Sequence, residues 1–336
     1  MSLISNEQED INSSRVLALA MKAEEAARST DEGIKHFIEP ARGTLRRATS
    51  RRHHIIFGRR GSGKSSLLRK AAADLTADHR PIAYINLEAF KGNSYPDVLL
   101  SVLISTFEKF SAWLHSTALT SAKHVSFWPW LLGVRPSPSS SKNKIVSELS
   151  QCLQSQIEAL ENQLHAADAA ELCVTTGTRE TVETAVRAEG SVTLPGASAS
   201  AEGQQSSAAR REGKVEEQFR RSKIDFLHHH VMDYQRTFRM IAELSSGDSY
   251  LLLDDLYHIR RGDQPQVIDY FHRMAKDHRL WLKIGTIRHR TDWYVHSDPP
   301  IGIKLGDDAD QIDLDMTLER YSIAKEFLLK ILTNLA

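Results

Sequence analysis

The sequence predicts an α/β fold with a central parallel sheet, and three observations predict it. Residues 58 to 65 read Gly58-Arg59-Arg60-Gly61-Ser62-Gly63-Lys64-Ser65, a full match to G-x-x-x-x-G-K-[ST] directly after the apolar run Ile55-Ile56-Phe57. A second apolar run, Tyr250-Leu251-Leu252-Leu253, ends in Asp254-Asp255, the pattern of a strand buried on both faces with carboxylates at its carboxyl end. Strand and helix patterns alternate around these motifs, and a β-α-β-α order implies parallel strands.

Residues 14 to 29 carry helix formers with apolar Val16, Leu17, Leu19, Ala20 and Ala23, and a mixed helix and loop punctuated by Pro40 runs on to Thr49. The glycine loop then has the chemistry of a phosphate cradle. Its glycines reach conformations closed to other residues, so successive N–H groups can converge on phosphates at the start of a helix. The candidate nucleotide contacts are Gly58, Arg59, Arg60, Gly61, Ser62, Gly63, Lys64, Ser65 and Ser66. Lys64 supplies the cation for the β- and γ-phosphates and Ser65 a hydroxyl for Mg²⁺, while Ser66 to Ala73 continues the helix whose positive end faces the nucleotide.

Pro81 to Glu88 reads as a buried strand, and Pro96 to Leu114 as a long helix. Asp254 is the candidate Mg²⁺-shell carboxylate, and Asp255 the candidate catalytic residue that orients an attacking water. A helix from Pro265 to Lys276 and a strand from Leu280 to Ile287 follow; the tip of that strand offers Thr286 or Arg288 as a polar sensor, and Arg288 or Arg290 as a cation for transferring phosphoryl charge. A solvated basic turn accounts for the same residues. A short strand at Gln311 to Leu314 and a helix from Thr317 to Leu332 complete the order.

Composition narrows the class without naming a partner. Lys+Arg and Asp+Glu are 43 each in 336 residues, so any contact with nucleic acid would need a local patch. Two cysteines, Cys152 and Cys173, make no disulfide framework and have no metal-ligand spacing. With an acidic N-terminus and no apolar run near 18 residues, the expectation is a soluble cytoplasmic protein with no membrane contact.

The two motifs, the strand ending Gly285-Thr286-Ile287-Arg288, the closing Leu318-Glu319-Arg320-Tyr321 and the lead-in Phe37-Ile38-Glu39-Pro40-Ala41 together resemble AAA+ ATPases of the origin-recognition/initiator type and the related STAND signalling NTPases. The resemblance spans Ile34 to Leu114 and Ser245 to Leu332. It implies a P-loop NTPase sheet ordered 5-1-4-3-2, ATP with Mg²⁺ rather than GTP, and nucleotide-dependent switching or self-association, in a setting such as bacterial defence signalling or replication. Two departures stand out: the chain carries about one helix where such proteins have a helical lid, and the stretch between the two motifs is too long for an ordinary connection.

That stretch divides the expected layout. Residues 1–33 form a helical lead-in, 34–125 the first part of the nucleotide core, 126–244 an insertion, 245–316 the second part of the core and 317–336 the start of a lid helix. In the insertion, an aromatic cluster, Ser126 to Val134, precedes a Pro/Ser loop. Val146, Leu149, Leu153, Ile157, Leu160 and Leu164 recur at helical spacing, as do Phe219, Ile224, Leu227, Val231, Tyr234, Phe238 and Ile241. The pair predicts a helical stalk, with residues 172–204 a β-hairpin or a disordered link between its arms. Such an element would meet a protein partner, a second copy of the chain or nucleic acid, and its charge does not choose among them. The functional expectation is a nucleotide-controlled ATPase switch or assembly subunit with slow turnover; the alternatives are a nucleotide-holding scaffold and a DNA-loading initiator-like ATPase.

Overall fold

The computed structural model describes residues 37–123, 139–166, 201–245, 247–315 and 321–335, with Ala18 and Met21. Seven strands, β1 (His54–Phe57), β2 (Ile82–Asn86), β3 (Ser249–Asp254), β4 (Leu280–Thr286), β5 (Tyr294–Val295), β6 (Ile301–Gly302) and β7 (Asp310–Asp313), alternate with seven helices in these residues. The helices are α1 (Thr44–Ala48), α2 (Lys64–Ala77), α3 (Asp97–Lys123), α4 (Ser139–Leu164), α5 (Ala201–Leu244), α6 (Gln264–Ala275) and α7 (Tyr321–Leu335). Five strands form one parallel sheet in the order β2-β3-β4-β1-β7, and β5 and β6 pair antiparallel outside it.

The run Ser249–Asp254 is central because it is apolar throughout: all six residues are buried and both edges are paired. Its alternate side chains serve two layers. Tyr250 and Leu252 pack with Leu67, Leu68 and Ala71 of α2, whereas Leu251 and Leu253 pack with Leu99 and Leu103 of α3 and with Ile268 and Phe271 of α6. The sheet therefore lies between helices on both faces, and the carboxyl ends of β2, β3 and β4 open on one edge. Each of these three ends runs into a short 3₁₀ turn: Leu87–Phe90, Leu256–His258 and Arg288–Arg290.

The insertion departs from its expected form. Rather than standing away as a stalk, α4 and α5 join the main core, where Leu149, Leu153, Leu160, Leu227 and Phe238 share a cluster with Phe107 and Phe110 of α3. The physical reason is α3, which runs to Lys123 and presents an apolar face broad enough for both helices. Helix α5 starts at Ala201, so residues 201–204 are helical and not part of a β-hairpin. The Ala, Gln, Glu and Arg content of this stretch favours helix, which outweighs its small residues. The rest of the expected hairpin, the aromatic cluster Ser126 to Val134, Cys173 and Leu318-Glu319-Arg320 lie outside the described residues. Strands β5 and β6, two residues each, were not foreseen, since so short a pair leaves no periodic signal. Among the described residues no helix is long and apolar enough to cross a membrane.

At the opposite end of the sheet, buried polar groups anchor the chain where it enters β1. Lys283 Nζ donates to the carbonyls of Ser50 and Arg52 at 2.7 Å each and lies 3.0 Å from His54 Nδ1, which is itself 3.0 Å from Arg52 O. Leu282 N–H donates to His53 Nδ1 at 3.1 Å. Burial, then the charges of His272 and Lys283, draw the His53 pKa down to about 4; burial and Lys283 draw that of His54 down to about 3. Both folded values lie below the unfolded value near 6.5, so the unfolded chain binds more protons between pH 6.5 and about 4, and stability must fall as pH falls through that window. His53 alone accounts for about 3 kcal/mol over the full window. Urea midpoints measured from pH 7 to pH 4.5 should drop steeply. His53→Asn, whose amide oxygen can still accept from Leu282 N–H but does not titrate, should lessen the drop; an unchanged profile in that variant would count against the assignment.

Candidate nucleotide site

The glycine loop leaves β1 and enters α2 through two residues in left-handed conformation, Gly61 (φ 80°) and Gly63 (φ 85°), the latter the N-cap of α2. The N–H groups of the first α2 turn therefore face the sheet's open edge without a side-chain cap. Lys64 begins that turn. It is 5 % exposed, and its Nζ donates to Arg59 O at 2.9 Å. Burial lowers its pKa, while Asp255, then Asp254 and Asp315, act the other way, so these carboxylates lie within electrostatic reach of the ammonium.

Asp254, 1 % exposed, ends β3 with both oxygens engaged: Oδ1 accepts from Asp255 N–H at 2.9 Å and Oδ2 from Tyr84 Oη–H at 2.7 Å. Tyr84 arrives from β2, because Asn86 is in register with Asp254 and the two strands run parallel. A side chain at Gly285 of β4 would come within 2.7 Å of Asp254 Oδ1 and 2.8 Å of Leu68 Cδ1, so a glycine there lets the β3 carboxylate and α2 close over the strand between them. Asp255 adopts φ 57°, ψ 44°, a left-handed conformation that Asp tolerates better than most residues. Its pKa is raised by burial and then by the Asp254 charge, with Lys64 opposing.

The loop residues, Lys64, Asp254 and Asp255 are thus brought to one edge. Ser65 and Ser66 sit in the first turn of α2, half-buried. Arg59 N–H donates to Asp315 Oδ1 at 2.8 Å. The β4 tip divides. Arg288 is committed to β7, donating to Asp313 Oδ2 at 3.0 Å and Gln311 Oε1 at 3.1 Å with its guanidinium 4.0 Å from the Phe57 ring centroid. Thr286 is buried, its hydroxyl paired with that of Thr291, which itself donates to Ile287 O. Arg290, by contrast, is exposed beside the Tyr257 ring at 5.6 Å.

Arg290 lines a cleft of about 620 Å³ with Arg59 and Arg60 of the loop, Lys91 beyond β2, Tyr257 and His258 beyond β3, and His289. No carboxylate lines it. Among the described residues, Arg60, Lys91 and Arg290 have no acidic partner at ion-pair distance. On its flank the ligand atoms of Glu88, Asp255 and His258 lie within 4.8 Å of one another, a group able to hold a divalent ion. Sequence reasoning missed Tyr84, Glu88, Lys91 and His258. The only signal for Glu88 was its place at the end of the β2 run, and the others carry no motif.

The residues fit a nucleoside phosphate with Mg²⁺. Ser62 Oγ is buried in the loop without a hydrogen-bond partner, and Ser65, Asp254 and Asp255 offer the hard oxygens that Mg²⁺ prefers. Comparison with protein-family models, curated proteins and solved structures finds no match to this chain, so the case for its function rests on these residues.

Proposed function

We propose that this chain is a Mg²⁺-dependent ATP-binding and ATP-hydrolysing module of AAA+/STAND type, working as a nucleotide-controlled switch or assembly subunit. The observation that carries the reading is the closure over Gly285, which sets the Asp254-Asp255 carboxylates in the field of Lys64 at the uncapped start of α2. Counting only the five sheet strands in chain order, β2-β3-β4-β1-β7 reads 5-1-4-3-2 from the β7 edge, in keeping with the resemblance. In this reading the loop N–H groups and Lys64 hold the β- and γ-phosphates, Lys64 exchanging the Arg59 carbonyl for phosphate oxygen. Ser65 and Asp254 hold the Mg²⁺ shell, and the bound ion supplies neutralisation of phosphate charge. Tyr84 keeps the Asp254 carboxylate oriented. Asp255, with its raised pKa, accepts a hydrogen bond from the attacking water. Arg290 is better placed than Arg288 to stabilise phosphoryl charge, because Arg288 already serves Asp313.

The cleft favours a second reading, a DNA-loading ATPase, since a chain of zero net charge gathers Arg59, Arg60, Lys91 and Arg290 along one cleft that no carboxylate lines. ATP turnover measured with and without DNA, alongside mass by light scattering with and without ATP, separates the readings. ATP-driven oligomers with slow turnover support the switch, and DNA-stimulated turnover the loader. An absence of turnover and of assembly overturns both and leaves a nucleotide-holding scaffold.

A further inference from the structure

The cationic cleft at the sheet edge is open to solvent, and the side chains that line it are ones a ligand can reach: Arg60, Lys91, His289 and Arg290 are exposed, and Tyr257 and His258 are half-buried. These residues come from segments far apart in the chain, and hydrogen bonds behind the cleft hold the segments together. Gln264, 0 % exposed, donates through Nε2 to Ile259 O at 2.9 Å and to Arg290 O at 3.4 Å, while its Oε1 accepts from Asp292 N–H at 2.9 Å. One buried amide thus ties the turn after β3 to the turn after β4. Arg260 joins the segment beyond β2 to them, donating to Gly92 O at 3.4 Å beside Lys91.

Two of the cations address one ring. The Arg290 guanidinium stands 5.6 Å from the Tyr257 centroid; burial, then Asp255, raises the pKa of that phenol and the Arg60 charge opposes, so Arg60 is within electrostatic reach of it too. Like charges held side by side repel one another, and a bound anion relieves that repulsion with little reorganisation. Two features narrow the anion. Its space, about 620 Å³, is that of a small-molecule site and more than a bare phosphate fills. Carboxylates also stand at the margins: Glu88 Oε1 lies 3.9 Å from His258 Nε2, and Asp315 Oδ1 accepts from Arg59 N–H at 2.8 Å. They would repel a phosphodiester chain running on past the cleft, so a compact anion fits it better than a DNA strand does.

We infer that this cleft binds a small phosphate monoester carrying a planar ring, a ligand separate from the nucleotide of the glycine loop. Arg60, Lys91 and Arg290 take the phosphate, which carries about two negative charges. Tyr257 and His289 offer aromatic surface to the ring. Neither Lys64 nor Ser65 nor Asp254 lines the cleft, so it lies beside the phosphate cradle rather than in it. The inference holds whether or not the loop binds ATP.

Uridine monophosphate is a suitable probe, with uridine as the control that lacks the phosphate, each titrated into the whole chain by calorimetry. The monophosphate should bind saturably, and more weakly as salt is added, while uridine should not bind. Binding should persist with Mg-ATP at saturation and in Lys64→Ala, two ways of taking the loop site away. Lys91→Ala, which removes an exposed side chain with no part in the glycine loop, should weaken it by about tenfold, the loss expected for a hydrogen bond to a charged group. The inference is overturned by an absence of saturable binding, by equal binding of uridine, or by equal affinity in wild type and Lys91→Ala. Loss of binding in Lys64→Ala or displacement by Mg-ATP overturns it as well, giving the anion to the glycine loop and leaving the nucleotide reading intact. Tighter binding of a thymidine oligonucleotide than of the monophosphate would give the cleft to nucleic acid instead.

Discussion

Lys64→Ala is expected to lower ATP affinity by about 100-fold or more, the range for removing one partner from a buried charge pair. The ammonium is placed where little else can substitute for it. It is 5 % exposed, starts α2 and donates only to a loop carbonyl among the described residues, leaving donors for phosphate oxygen. Burial already penalises its charge, and a bound phosphate would relieve that penalty. The exposed cations Arg60 and Arg290 line the neighbouring cleft and cannot reproduce a contact at the start of the helix. Titration of Mg-ATP into wild type and Lys64→Ala, with a urea melt of each to show that both fold, gives the answer. Equal affinities would remove the nucleotide assignment altogether.

Asp255→Asn should leave ATP binding within a few-fold of wild type and reduce turnover by about 100-fold or more, the scale of a lost general base or water-orienting carboxylate. The substitution is conservative for the backbone, because Asn also tolerates the left-handed conformation found at this position. It removes a charge from beside Asp254, so stability should not suffer. Glu88 lies close enough to compete for the role. Single-turnover rates of Asp255→Asn and Glu88→Gln, each at saturating ATP, distinguish the two carboxylates. Normal turnover in Asp255→Asn with loss in Glu88→Gln moves the water-orienting role to the end of β2.

Much of the local structure was legible because it depends on neighbours in sequence. A run of apolar residues ending in an acid reads as β3 whatever surrounds it, and a glycine-rich turn before Lys64 reads as a loop entering a helix. Periodic leucines and phenylalanines marked α4 and α5. The extension of α5 back to Ala201 was misread because small residues were weighed as disorder, although Ala, Gln, Glu and Arg propagate a helix already begun.

The chemistry that depends on strands distant in sequence was not legible. The sensor candidate Arg288 is paired with Asp313 because β7 lies beside β1, a contact that sequence spacing could not show. Tyr84 and Asp254 are 170 residues apart, and only the β2–β3 register sets phenol against carboxylate. Gly285 matters because β4 lies between β1 and β3, where a side chain would crowd Asp254 Oδ1 and Leu68 Cδ1.

By itself, then, the sequence determined the phosphate-cradle pattern, the acidic end of β3 and the alternation of strand and helix, all set by residues a few positions apart. Tertiary structure decided which arginine pairs with Asp313, how a neutral chain concentrates cations in one cleft, and that the helices of the insertion pack against α3 in the main core. Those outcomes follow from sheet order and helix packing, whose long-range contacts leave no periodic trace along the chain.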